Sequence, residues 1–417
     1  MKVTSNVLAA LVVGATIVGA AGLVPGKAFA ADDKNKQTVS KDLAKPLKAA
    51  QDALNAKKYS DALAKLKEAE SNPKKTPYDE HIINMLSGAA YVGLKDYPNA
   101  SKALEAQIND GFLPQEEVPP RVKALAQINY QLKNYDKAIE FGNRALKGGY
   151  ADEEMKTLVG QAYYLKGDWK GTLKFEEDQV NDELKKGQPP KNESLQLLLS
   201  ACVKLEDQDC TTRALEKLVA YYPKPEYWQQ LLYTMFQSSA AQNDRALLQT
   251  YRLASEVDVL KRPEDYTEMA QLAIEQGNPG EAQHILEKGF QKNVFADQRS
   301  KDKNQRLLES AKKAAATDQA QLPKIEADAR KATTGDKDIA VGLAYLGYQQ
   351  YDKAVDLLSD GLQKGGVKNE AEARLLLGIA QLKAGKKDDA QKTFKAVKGD
   401  ASLERLANLW SLHAKQA

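Results

Sequence analysis

Apolar residues recur three and four positions apart along almost the whole chain beyond residue 40, and the runs come in pairs. Ala50, Ala53 and Leu54 share one face; after a short break Ala62, Leu66 and Ala69 share another. That spacing is helical. Pro73 and Pro77 then interrupt the chain before the next pair. The clearest pairs lie between Gly342 and Lys398, where Gly342, Ala344 and Tyr351-Asp352-Lys353-Ala354 are followed 36 residues on by Gly378, Ala380 and Lys387-Asp388-Asp389-Ala390. Each copy predicts a helix, a tight turn and a second helix. A period in the thirties with a small residue on each helix marks an array of helical hairpins.

Repeats one to seven are predicted over 42–295. Repeat two carries Gly88, Tyr91 and Ala100, repeat three Tyr130 and Ala138, repeat four Gly160, Tyr163 and Trp169, and repeat seven Gly277 and Ala282. Several first helices open on proline, as at Pro225 and Pro263, where the missing N–H has no partner to lose. Between 296 and 335, Leu308, Ala311 and Ala315, then Ile325, Ala329 and Ala332, keep helical spacing without the aromatic and glycine positions. This segment predicts a degenerate helical hairpin. Residues 336–401 form two C-terminal repeats, and 402–417, with Leu403, Leu406, Leu409 and Trp410, a helix capping the last repeat's open face.

These small and aromatic positions resemble the tetratricopeptide repeat over nearly all of the chain beyond residue 41. The resemblance implies an all-α fold, a right-handed α-solenoid of helical hairpins. Gly88, Gly160, Gly342 and Gly378 would sit where paired helices cross, with Ala100, Ala138, Ala282, Ala354 and Ala390 opposite. In that family the first helices line a concave groove that contacts partners. Mapped onto this sequence, the groove positions include Lys123, Gln127, Tyr130, Gln161, Tyr164, Gln229, Tyr233, Phe236 and Gln271. Amides bond extended backbone, and tyrosines give contact area at low entropic cost. Both are also ordinary helix-surface residues, so composition leaves the stripe open between groove and plain surface. Family members that clamp a free C-terminal carboxylate use lysine, arginine and asparagine here; Gln127 and Gln161 stand at the asparagine places, against such a clamp. The stretch Leu215–Trp228 is similar to exported tetratricopeptide proteins of Gram-negative bacteria, which implies a compartment and no reaction.

The first residues agree with export. Lys2, an uncharged apolar run from Val7 to Val24, Pro25-Gly26 and Ala28-Phe29-Ala30 have the order of a secretory signal peptide cut after Ala30. An 18-residue apolar run is also just long enough to span a bilayer, but the small-residue cleavage site favours removal. No stable membrane span is then expected. Residues 31–41 are polar and predict a disordered lead. Loss of Lys2 and Lys27 leaves 58 basic residues against 57 acidic ones. So balanced a chain lacks the cationic excess of a nucleic-acid binder.

Candidate chemistry changes little. Cys202 and Cys210, in an exported chain, form a candidate disulfide across one hairpin turn or remain two buried thiols. His81, His284 and His413 lie in different repeats without metal-ligand spacing, and no phosphate loop, nucleophile elbow or dinucleotide fingerprint occurs. No catalytic residue, metal or cofactor is expected. Arg299, Lys301, Lys303, Arg306, Lys312 and Lys313 read as a solvated helix face. The reading is a periplasmic, non-enzymatic scaffold that joins envelope proteins or peptides through its groove. The alternative is a periplasmic binding module for an extended peptide, glycan or polymer strand.

Overall fold

The computed structural model describes residues 38–237 and 244–416. The signal peptide predicted over 1–30 and most of the lead predicted over 31–41 lie outside the described residues. The described chain is an all-α helical-repeat solenoid of twenty α-helices, with no strand among the described residues. It divides into two compact units, residues 1–179 and 180–417.

In the first unit the hairpins are α1 (Lys41–Asn55) with α2 (Tyr59–Glu70), α3 (Pro77–Leu94) with α4 (Tyr97–Asn109), and α5 (Val118–Gln131) with α6 (Tyr135–Lys147). They are followed by α7 (Glu153–Lys166) and α8 (Trp169–Lys185), within which the unit boundary falls. Each second helix also packs on the next first helix, α2 on α3, α4 on α5 and α6 on α7. Side chains start the helices: Asp96, Asn134 and Asp152 each accept a backbone N–H three residues on. The turns within the hairpins share one device, a single residue in the left-handed region, at Lys57, Lys95, Lys133 and Gly167. Leu43, Leu47, Leu66, Ile82 and Leu86 fill the core at the chain's entry. There Asp79, fully buried, accepts from Ser40 N and Thr76 N, both at 2.9 Å, and from Thr76 Oγ1 at 2.8 Å. Burial alone would raise its carboxyl pKa, but these bonds hold it below the usual range. The end of the lead is thus pinned at Ser40.

The predicted crossing glycines do face their partner helices. A β-carbon on Gly88 would meet Gln107, on Gly160 Glu176, on Gly342 Leu358 and on Gly378 Phe394, all at 2.9 Å or less. The residue opposite is therefore not the predicted alanine. For Gly342 and Gly378 it lies one turn beyond, four positions after Ala354 and Ala390. The alanines Ala62, Ala100, Ala138, Ala282, Ala354 and Ala390 are themselves fully buried.

The second unit comprises α9 (Asn192–Lys204), α10 (Gln208–Tyr221), α11 (Pro225–Phe236), α12 (Asp244–Glu256), α13 (Pro263–Glu275) and α14 (Pro279–Gln291). It continues through α15 (Gln298–Lys331), α16 (Asp336–Gly347), α17 (Tyr351–Lys364), α18 (Glu370–Lys383), α19 (Lys387–Lys395) and α20 (Ala401–Gln416). The hairpin predicted over 296–335 is instead the single helix α15, 34 residues long. Between Gln298 and Lys331 no residue takes the left-handed conformation that closes other hairpins. Pro323 has no N–H to donate to the carbonyl of Gln319, an exposed residue of the same helix. Tyr348 Oη donates to Asp318 at 2.6 Å, Tyr345 Oη to Glu326 at 2.6 Å, and Lys364 Nζ caps the carbonyls of Ala329 and Arg330 at 3.1 Å. These bonds fasten α15 to the helices after it.

Beyond α15 the chain folds back within the unit. The first helix α16 packs on α14, where His284 Nδ1 donates to the carbonyls of Gly280 and Gly347 at 2.8 and 3.0 Å. Arg245 and Gln249 of α12 reach Glu372 of α18. The C-terminal helix α20 packs on α18 and α19, and also on α10 and α12. Arg405 bonds Glu216 at 3.1 Å, Gln416 bonds the Val219 carbonyl at 2.6 Å, and the His413 ring lies edge-on to both Trp228 and Trp410. Glu256 receives Lys383 and His413 on one carboxylate. Burial would raise its pKa, but these two partners override it and hold it at about 2.

Two outcomes follow from this packing. Gly378→Val drives a side chain into the buried Phe394 ring, itself stacked on Trp410; a loss of about 1–3 kcal/mol is expected in urea unfolding. Because Glu256 is depressed from 4.5 to about 2, its contribution is complete above pH 4.5 and fades as pH falls towards 2. Glu256→Gln should start less stable at neutral pH and lose less on acidification through that window; parallel urea midpoints for the two proteins would contradict this.

Candidate functional site

Lys123, Gln127 and Tyr130 occupy successive turns of one face of α5, all half-buried, and Gln161 and Tyr164 lie on α7. The helix-to-helix step brings two pairs together. Tyr130 Oη donates to Gln161 Oε1 at 2.8 Å, with its ring edge-on to Tyr135 at 5.9 Å between centroids. Burial, and secondarily Tyr135, push the Tyr130 phenol above its ordinary pKa. Lys123 Nζ meets Asp152 at 2.6 Å. That hydrogen bond, with the Met155 N–H that Asp152 also caps, draws the Asp152 carboxyl below its usual range despite some burial. Tyr164 lies edge-on to Trp169 at 5.2 Å.

This face is preorganised. Its tyrosines and lysine are held by side-chain contacts, so a partner would meet fixed amide, phenol and ammonium groups at a small ordering cost. Three exposed leucines, Leu94, Leu132 and Leu165, stand at the C-terminal ends of successive first helices. Sequence mapping missed Asp152, Tyr135 and Trp169, which fix the predicted residues. Asp152 was visible only as a helix N-cap, and the two aromatics only as helix-start residues.

The four other predicted positions belong to the second unit and are not equivalent. Gln229 and Gln271 are exposed, and Tyr233 is 60% exposed, its hydroxyl accepting from Gln237 at 2.6 Å. Phe236 turns inward onto Tyr251, centroids 4.8 Å apart, and serves packing rather than a contact surface. A pair not predicted occurs here as well: Gln196 Nε2 donates to Tyr227 Oη at 3.0 Å. Gln196 and Tyr227 are 31 residues apart, the same interval as Tyr130 and Gln161.

Cys202, at the end of α9, and Cys210, at the start of α10, are joined in a disulfide with Cα atoms 5.4 Å apart. Among the described residues no group of three or more His, Cys, Asp or Glu is arranged to hold a metal ion. His81 pairs with Asp110 at 2.8 Å beneath Tyr78 and Phe112, a buried structural contact. No helix among the described residues is long and apolar enough to cross a membrane.

Two family models match parts of the chain: tetratricopeptide repeat over residues 340–403, and RNPP family C-terminal domain over residues 121–188. The first stretch holds α16 to α19, the two hairpins with the clearest repeat pattern. The class these features define is an all-α protein of helical-hairpin repeats, one stretch of which, 340–403, matches the tetratricopeptide-repeat model. No curated protein matches the sequence. Similar solved structures include the TPR2AB-domain:pHSP90 complex of yeast Sti1, 17% identical over 72% of this chain and 96% of that one, TM-score 0.25. Others are the pentatricopeptide repeat protein PPR10 from maize, 16% identical over 89% and 51%, TM-score 0.30, and yeast Tom70, 11% identical over 90% and 96%, TM-score 0.22. At such scores the superpositions carry no weight for partner or function.

The disulfide closes a short loop, so its removal by Cys202→Ser with Cys210→Ser should lower stability by roughly 2–3 kcal/mol at most. Denaturant unfolding of the oxidised protein against the double variant checks this, and a loss well beyond that range would mean the sulfurs serve packing as well.

Proposed function

We propose that this protein is an exported, non-enzymatic scaffold that holds envelope proteins or their extended segments against the first-helix face of its first unit. The observation that carries the reading is the fixed polar face of α5 and α7, where Tyr130 is bonded to Gln161 and Lys123 to Asp152 around the half-buried Gln127. Neutral amides and phenols suit backbone and mixed side chains. Extended polypeptide offers many such groups in series.

Export is the second part of the proposal and rests on the N-terminal pattern ending at Ala30. The close pair of bonded cysteines agrees with an oxidising compartment. The first residue of the protein isolated from cells should be Ala31. Mature protein beginning at Met1 would remove the export reading.

For the binding face, a photo-crosslinking amino acid placed at Gln127 or Gln161 should trap a small set of discrete protein bands in cells. The same probe at Glu140, exposed on the second helix α6, should not. Equal bands from all three sites, or none from Gln127 and Gln161 in abundant protein, would reject this face as the docking surface.

A further inference from the structure

The second unit holds an open cleft of about 560 Å³ between the helices of its outward and returning runs. Its volume lies within the range of small-molecule pockets. The wall has two characters. Ile285, Leu346, Ile379 and Trp410 provide an apolar side, contributed by α14, α16, α18 and α20. Charged groups of α12, α14 and α18 provide the other.

Most of those charges neutralise one another. Arg252 grips Glu281 with Nε and Nη2 at 2.7 and 2.6 Å, Lys383 meets Glu256, and Glu287 meets Lys312 at 3.0 Å. Lys292 takes Asp258. Lys288 is different. Its ammonium donates to the Ser255 carbonyl at 2.7 Å and to Ser255 Oγ at 3.2 Å, while its distance to the already engaged Asp258 is 3.8 Å. An ammonium has three donors, and here two go to neutral oxygens. Burial lowers its pKa, with Lys292 and Lys383 acting in the same direction against the raising effect of Asp258 and Glu256. The cleft thus contains one cation whose charge is incompletely matched.

The unsatisfied atoms of the wall agree in sign. Arg252 Nη1 and Trp410 Nε1, on residues 7% and 1% exposed, are buried without a hydrogen-bond acceptor. Both are donors. A buried donor without a partner is destabilising, and what each lacks is an acceptor oxygen. Cationic excess, orphan donors and an apolar wall together select an anion with an apolar stem over a cation or a neutral polar molecule.

We propose that this cleft binds a small carboxylic acid with an apolar stem, its carboxylate at Lys288 and its stem against Ile285, Leu346, Ile379 and Trp410. The assignment is independent of the docking face on α5 and α7.

Octanoate, octanol and octylammonium, matched in tail and differing in charge, are the probes, added at low-millimolar concentration to the full mature protein. Octanoate should raise the melting temperature and give saturable heat in calorimetry, and the other two should do neither. Lys288→Met should weaken octanoate at least tenfold, with Lys288→Arg recovering most of it. Ile379→Phe, which narrows the apolar wall and leaves every charge in place, should weaken it as well. Octanol matching octanoate would show a merely apolar cleft, and octylammonium exceeding it would show that the carboxylates dominate; either overturns the proposal. So would no response to octanoate, or wild-type affinity in a folded Lys288→Met or Ile379→Phe protein.

Discussion

The structure depends on how closely two helices of a hairpin approach. At Gly88, Gly160, Gly342 and Gly378 a side chain of the partner helix occupies the space that a β-carbon would need. The interaction is dispersive and short-ranged, and a few tenths of an ångström decide whether it is gained or lost. Within each unit a second helix then packs on the next first helix, as α6 does on α7 and α17 on α18, so that a hairpin fixes the placement of its neighbour there. The repeat is therefore a unit of distance as much as of sequence.

Within the second unit the same geometry is turned to a different end. The continuous helix α15 carries the chain far enough that the later hairpins fold back against α10, α12 and α14. First helices such as α16 and α18 are then spent on internal contacts. An open cleft with charged and apolar sides is left between the two runs, with Trp410 of α20 in its wall. In the first unit, by contrast, the polar groups on the face of α5 and α7 are held by neighbouring side chains, Tyr130 with Gln161 and Lys123 with Asp152. One repeat chemistry thus supports two different kinds of surface, according to what lies opposite each first helix.

Individual residues show the limits of reading a site from its pattern. Tyr130 and Gln161 were placed on one face by the repeat register, and that register also puts them within a hydrogen bond. Phe236 held an equivalent position by counting, yet it turns to Tyr251, because an apolar ring near a helix end is drawn to the nearest buried surface. Asp152 was unremarked, although it orients Lys123, since a helix N-cap carries no sign of the cation it will meet across 29 residues.

The sequence by itself determined the helices, their pairing and the small residues at the crossings, because these follow from local periodicity and from contacts between neighbours in the chain. It also marked Cys202 and Cys210 as close enough to bridge. Only the tertiary structure decided that residues 298–331 form one helix, that α20 reaches back to Glu216, Val219 and Glu256, and that Lys288 is left with an incompletely matched charge. The reach of α20 rests on contacts between residues more than 150 positions apart, the continuity of α15 on bonds to residues 19 to 35 positions on, and the state of Lys288 on which groups the fold brings beside it. No local period encodes any of these.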